Sequence, residues 1–225
     1  LRVESPAHMC PSDLRLRQHA VDAEVYYNPV ADNGWVGMQD FDTEKELESF
    51  ENGQIFASKA PIVPADSCKW VIEEADKHAA AHGFANETAE ASAPSTHVHV
   101  SALPDIVPWF NEFVKATCIP LLRNAYGVDH FNACSLRVQE AIIIRYDEAG
   151  PGTRGLKRHV DAYDYLITVQ LNGPEEYEGG GLWIDAMEST IVGPQGTLVV
   201  LDPKLSHAAL AVEKGTRYVL AVYVS

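Results

Sequence analysis

Apolar positions recur with a helical period in the first half of the chain and as short compact runs in the second. Cys68, Val71, Ile72, Ala75 and Ala79 fall on one stripe, with Asp66 or Ser67 placed to cap the helix and Gly83 to end it. A second helix is predicted from Asp105 to Tyr126, with Ile106, Phe110, Phe113 and Val114 on its buried side. Pro120 is expected to kink or split it, and Gly127 to stop it. Residues 84–103 between the helices are rich in Ala, Ser and Thr and read as a loop, although His97-Val98-His99 alternates like a short strand. Residues 1–60 read as an irregular N-terminal extension, packed on or flanking the core, with turn signals at Asn28-Pro29, Asn33-Gly34 and Asn52-Gly53. The acidic stretch from Asp40 to Glu51 reads as a solvated face.

After residue 130 the period changes. Ala141–Tyr146, Tyr165–Leu171, Leu182–Asp185, Gly196–Leu201 and Arg217–Val224 are short β-branched or aromatic runs, separated by clusters such as Asn172-Gly173-Pro174 and Gly179-Gly180-Gly181. Many short strands with turns between them predict a sandwich or barrel. The expected class is mainly β with flanking helices (α+β), with residues 61–225 as the folded domain.

Charge narrows the partners. Seventeen basic against 32 acidic residues leave a formal charge of −15 in 225 residues. Such a chain is a poor grip for nucleic acid or an anionic membrane, and no apolar run reaches the roughly 18 residues of a membrane helix. Most of the acidity precedes residue 137: 20 acidic and 9 basic residues there, against 12 and 8 after it. The four cysteines, Cys10, Cys68, Cys118 and Cys134, contain no C-x-x-C pair; they permit one or two bridges without requiring them. The start at Leu1 suits removal of an N-terminal targeting segment, and Asn86-Glu87-Thr88 is a glycosylation sequon. Secretory pathway, endoplasmic reticulum and cytoplasm all stay open as compartments, as does the oligomeric state.

The chemistry concentrates late in the chain. His159-Val160-Asp161 places an imidazole and a carboxylate two residues apart, which on a strand puts both on one face. A third ligand must come from elsewhere, and His207, 46 residues after Asp161, is the candidate. Two imidazoles and one carboxylate form the facial triad of non-heme Fe(II) oxygenases, which leaves open positions for cosubstrate and O₂. Arg217, on the last strand, matches a carboxylate bidentately. Tyr146, at the end of another strand, offers a hydroxyl to the same pocket. Gly150-Pro151-Gly152-Thr153-Arg154-Gly155 matches a dinucleotide fingerprint, but no helix is predicted after it and Pro151 lacks an N–H; a loop leading into the metal site is the better reading. Trp183 reads as core or pocket wall.

Arg145-Tyr146, His159-Val160-Asp161, Tyr177-Glu178-Gly179-Gly180-Gly181, His207 and Gly215-Thr216-Arg217-Tyr218 together resemble, in order, the catalytic domains of prolyl 4-hydroxylases and lysyl hydroxylases. The resemblance covers roughly residues 60–225 and is strongest from 137 onward. It implies a double-stranded β-helix (jelly-roll) core with helices outside. It implies Fe(II), 2-oxoglutarate and O₂ as cofactors, with ascorbate as a candidate reductant. His159, Asp161 and His207 would be the iron ligands, and Arg217 would hold the 2-oxoglutarate C5 carboxylate with help from Tyr146. The sequence departs from the pattern at one place. Some prolyl hydroxylases carry a cosubstrate-contacting tyrosine before the Leu-Asn that ends the second core strand; here Gln170 precedes Leu171-Asn172. Thr168, on the same face, could also supply a hydroxyl.

The activity so implied couples decarboxylation of 2-oxoglutarate, giving succinate and CO₂, to hydroxylation of prolyl or lysyl residues in a peptide. The alternatives are a 2-oxoglutarate oxygenase acting on a free amino acid, another small metabolite or a nucleobase, and a non-catalytic jelly-roll binding module with a relic metal site.

Overall fold

The computed structural model describes Tyr26 and residues 42–86, 95–127, 136–148 and 154–225. Two antiparallel sheets face each other. The larger is built from β1 (Leu47–Phe50), β2 (Ile55–Ser58), β3 (Ala85–Asn86), β4 (Thr96–His99), β5 (Val138–Asp147), β7 (Tyr165–Gln170), β11 (Leu198–Leu201) and β13 (Val212–Val224). Its order is β1-β2-β11-β7-β13-β5-β4-β3, and β8 (Tyr177–Gly179) pairs with the start of β13. The smaller sheet, β10-β9-β12-β6, comprises β6 (Leu156–His159), β9 (Leu182–Ile184), β10 (Ser189–Ile191) and β12 (His207–Ala209). This is the expected jelly roll.

Alternation along the long strands divides the core. On β5, Ile142, Ile144 and Tyr146 face the smaller sheet, while Ala141 and Ile143 face the helices. On β13, Val219, Ala221 and Tyr223 point inward, and Tyr218, Leu220, Val222 and Val224 point outward. Both faces are covered, so the strands read as near-continuous apolar runs. The same period of two puts Arg217 on the inward face.

The outward face is covered by α1 (Ala65–His82), α2 (Val107–Phe113) and α3 (Ile119–Ala125). Cys68, Val71 and Ala75 of α1 are buried as expected. The expected cap is not used: the helix begins at Ala65 behind Pro64, no side chain caps it, and Asp66 lies inside the first turn, where its charge suits the helix dipole. Ile106, Phe110, Phe113 and Val114 are all buried. The break expected at Pro120 is realised as a π turn, Val114–Cys118, joining α2 to α3. Pro120 has no N–H to donate to the carbonyl four residues back, and a wider turn absorbs that gap.

Two segments differ from expectation. Residues 47–58, predicted to be irregular, form a hairpin whose second strand pairs with β11, so they extend the larger sheet. Leu47 and Ile55 are buried while Glu48 and Ser49 are exposed, and the acids masked this alternation. The predicted loop 84–103 supplies β3 and β4, which close the other edge against β5. Strand β6 begins at Leu156, so no helix opens after the glycine-rich stretch; its residues 150–153 lie outside the described ones. Cys68 and Cys118 are buried free thiols, while Cys10, Cys134 and the sequon residues Glu87 and Thr88 also lie outside the described residues. No helix of the described residues is long and apolar enough to cross a membrane.

Candidate active site

Strand register assembles the site. β6 pairs with β12 so that His159 stands directly opposite His207, and the ring centroids lie 4.4 Å apart. The expectation of one strand carrying both His159 and Asp161 is met only in part: β6 ends at His159, and Asp161 follows on a turn held by its own N–H bond to Pro203 O at 2.9 Å. His207 is the first residue of β12.

Hydrogen bonds choose the tautomers. His159 Nδ1 lies 2.7 Å from Lys157 O, and His207 Nδ1 lies 2.8 Å from Leu205 O. A carbonyl only accepts, so both Nδ1 atoms carry the hydrogen, and in the neutral rings both Nε2 atoms present lone pairs. Those atoms face Asp161, at 3.7 Å from Oδ1 for His159 and 3.4 Å from Oδ2 for His207. All three ligand atoms lie within 4.8 Å of one another. Asp161 Oδ2 is buried and makes no hydrogen bond among the described residues. Converging acceptors with an orphaned carboxylate oxygen call for a cation, and an N₂O donor set fits Fe(II) with coordination positions to spare.

Arg217 closes the other end. The residue is 5% exposed. Among the described residues no carboxylate forms an ion pair with it. Nε and Nη2 donate to Gln170 Oε1 at 3.1 and 3.0 Å, and Gln170 Nε2 donates to Asn172 O at 2.9 Å. Gln170 thus uses both ends of its amide to fix the guanidinium, leaving the outer edge of the fork for an anion. Asn172 steadies the same region, with Nδ2 donating to Thr216 O and Oδ1 accepting from Tyr218 N, both at 2.8 Å. Tyr146 stands opposite Arg217 in register, with the guanidinium carbon 5.5 Å from its ring centre. Burial pushes the Tyr146 hydroxyl up to about 12, against the pull of Arg217; it stays a neutral donor at pH 7.

One cavity is lined by His159, His207, Arg217, Tyr146 and Thr168, with Ile144, Leu166, Leu182 and Val219 as apolar wall. Thr168 Oγ1 makes a long bond, 3.4 Å, to Val199 O. Gln170 lines a neighbouring cavity shared with Thr168 and Arg217. Trp183 faces the other way: Leu182 and Ile184 point inward, and the indole N–H donates to Asp185 Oδ1 at 2.6 Å. Sequence reasoning missed the roles of Tyr177 and Gly180. The Tyr177 hydroxyl lies beside Arg217, and burial raises its pKa against that cation. Gly180 has φ +70, and a Cβ there would sit 3.1 Å from both Arg217 Cδ and Tyr177 Cε2. The Tyr-Glu-Gly-Gly-Gly run signalled this close approach without saying to what.

No protein-family model and no curated protein matches the chain. Solved structures do. One is a 2OG-Fe(II) oxygenase family oxidoreductase from Burkholderia pseudomallei, at 14% identity and TM-score 0.57, covering 76% of this chain and 84% of that one. Another is the viral collagen prolyl hydroxylase of Paramecium bursaria Chlorella virus-1, at 16% identity and TM-score 0.51, covering 76% and 94%. A third is a non-heme α-ketoglutarate-dependent carbocyclase from nogalamycin biosynthesis, at 11% identity and TM-score 0.60, covering 84% and 86%. Across these differing activities the likeness is one of architecture: the chain has the double-stranded β-helix fold of the non-heme Fe(II)/2-oxoglutarate oxygenases.

Proposed function

We propose that the protein is an Fe(II)- and 2-oxoglutarate-dependent hydroxylase that acts on prolyl or lysyl side chains of a peptide. One observation carries the reading: His159 and His207, which converge with Asp161 as a metal-ready set, line one cavity together with the buried Arg217. A ligand with a carboxylate at one end and a chelating group at the other, such as 2-oxoglutarate, suits that cavity. The balance is substrate C–H, 2-oxoglutarate and O₂ giving substrate C–OH, succinate and CO₂, with bound Fe(II) supplying the oxygen activation.

The chain's own residues do the rest. His159 Nε2, His207 Nε2 and the Asp161 carboxylate would hold the metal, with the two imidazoles kept in the ligating tautomer by Lys157 O and Leu205 O. Arg217, braced by Gln170 and given room by Gly180, would take the C5 carboxylate. Tyr146 would donate its hydroxyl to the same anion. Ile144, Leu166 and Leu182 give the cavity an apolar wall, and a less polar surrounding strengthens each of these contacts.

The likeness to a viral collagen prolyl hydroxylase supports a peptide substrate. The likeness to a carbocyclase of antibiotic biosynthesis supports a second reading, a small metabolite as substrate. Incubation of the Fe(II)-loaded protein with 2-oxoglutarate and a panel of Pro-rich peptides, Lys-containing peptides and small molecules decides. Succinate release that depends on one panel member, with a +16 Da product by mass spectrometry, is expected from a peptide. Hydroxylation of a small molecule alone moves the assignment to the second reading, and no succinate with any member ends the oxygenase reading.

A further inference from the structure

The outer face of the smaller sheet carries a polar cluster that lines neither of the two cavities. Three adjacent strands meet there at one carboxylate, that of Asp185, just past the end of β9. From β9 itself, the Trp183 indole N–H donates to Asp185 Oδ1 at 2.6 Å. From β6, Arg158 Nε reaches the same oxygen at 3.1 Å, with its guanidinium carbon 5.6 Å from the Trp183 ring centre. Immediately before β12, Ser206 Oγ donates to Asp185 Oδ2 at 2.7 Å, and Asp185 N donates to Ser206 O at 3.0 Å. Ala208 lies opposite Trp183 in register, and its small side chain leaves room for Arg158 to cross β12.

What these contacts hold is the frame of the metal site. Arg158 immediately precedes His159, and Ser206 immediately precedes His207. Strand β6 ends its sheet, and its pairing with β12 is interrupted by a bulge between the His159–His207 and Leu156–Ala209 pairs. Arg158 lies in that bulge, where the ladder alone fixes the chain poorly, and its bond to Asp185 supplies the missing tie. Ser206 ends the turn that serves the other two ligands. Within it, Pro203 O accepts the Asp161 N–H at 2.9 Å, and Leu205 O lies 2.8 Å from His207 Nδ1. Leu205 N donates back to Asp202 O at 3.0 Å. One short turn thus sets the backbone of Asp161 and the ring of His207, and Asp185 fastens its end with two bonds. Groups that orient ligands in this way tune metal affinity without touching the metal.

We propose that Asp185 is a positioning residue of the metal site: through Arg158 and Ser206 it holds His159, His207 and Asp161 at the spacing and in the ring orientation that a metal ion needs. Its effect on metal affinity rests on the metal-binding reading of those three residues; its effect on the two rings does not.

Two measurements test it. The first needs no metal. Proton–nitrogen NMR spectra of the histidine-labelled protein, recorded at a pH where the imidazoles are neutral and with signals assigned by substituting each ring, report which nitrogen carries the hydrogen. His159 and His207 are expected as Nδ1–H tautomers in the wild-type protein. Asp185→Ala is expected to admit the Nε2–H form at both rings, Ser206→Ala at His207 alone, and Arg158→Gln at His159 alone. The second measurement is titration with Mn(II). Asp185→Ala is expected to bind it about 10-fold more weakly. Asp185→Asn, whose amide can accept from Trp183 and donate to Ser206 Oγ, is expected to keep most of the affinity. Ser206→Ala serves in both measurements if Asp185→Ala melts early. A lowered melting temperature with unchanged tautomers and unchanged Mn(II) affinity marks a purely structural role and overturns the proposal. Tautomer changes that ignore which ring adjoins the substituted residue overturn it as well. Ring-selective changes in a protein that binds no Mn(II) sink the metal reading alone, and Mn(II) binding indifferent to all three alanine and glutamine variants sinks the positioning role alone.

Discussion

Gly180→Ala probes how Arg217 is held. The glycine has φ +70, a conformation that costs an L-residue roughly 1–2 kcal/mol. The added methyl would also sit 3.1 Å from Arg217 Cδ and from Tyr177 Cε2. Arg217 cannot simply retreat, because Gln170 holds its Nε and Nη2. Overpacking of this kind adds about 1–2 kcal/mol, so the total is about 2–4 kcal/mol. For a chain of this size that lowers Tm by roughly 5–12 °C. Gly127→Ala is the control: its φ is +62, but a Cβ there meets nothing within 4 Å. It carries the strain alone, about 1–2 kcal/mol. Thermal melts of the two variants, with the half-saturating 2-oxoglutarate concentration from succinate assays, separate strain from crowding. Gly180→Ala is expected to melt lower than Gly127→Ala and to need about tenfold more 2-oxoglutarate, while Gly127→Ala leaves the requirement unchanged. Equal melting points with an unchanged requirement in both would refute the claim that Gly180 makes room for Arg217.

Other perturbations follow from the same geometry. The His97 pKa falls from 6.5 to about 4 on folding, so the unfolded chain binds more protons at acid pH. Stability is full above pH 6.5 and drops by up to about 3 kcal/mol as pH falls toward 4; urea unfolding at pH 7 and 4.5 should show this loss, and His97→Gln should lessen it. Gln170→Leu leaves two buried Arg217 donors without their acceptor, costing about 1–3 kcal/mol and raising the 2-oxoglutarate requirement. Gln170→Glu supplies a competing carboxylate and should raise that requirement further, as read from initial rates of succinate release. Phe110, fully buried between helix and sheet, should cost about 3–5 kcal/mol when cut to Ala in chemical denaturation, with metal binding retained by the folded fraction.

Legibility in the sequence tracked locality. The α2–α3 helical segment could be read because Ile106, Phe110, Phe113 and Val114 repeat within one element, and β5 and β13 because their apolar runs are long. Strands β6, β8, β10 and β12 have only three or four residues, too few to show a period, and Leu156-Lys157-Arg158-His159 carries two exposed cations. The chemistry of His159, Asp161 and His207 was visible as residue types at suggestive spacing. Their convergence depends on the β6–β12 register, which joins residues 48 positions apart and leaves no local trace. Gln170 could be noticed as a departure, but its bonds to Arg217 come from a neighbouring strand. Asp185 and Ser206 likewise meet only because β9 lies against β12.

The central claim is that His159, Asp161 and His207 form one metal site. Anaerobic titration of Fe(II), or of Mn(II) as a redox-inert substitute, into the purified protein tests it directly. The account predicts one ion per chain, bound at least about 100-fold more weakly by Asp161→Ala, with the variant's melting curve showing a folded protein. No stoichiometric binding by the wild-type chain, or equal affinity in the two proteins, would contradict it.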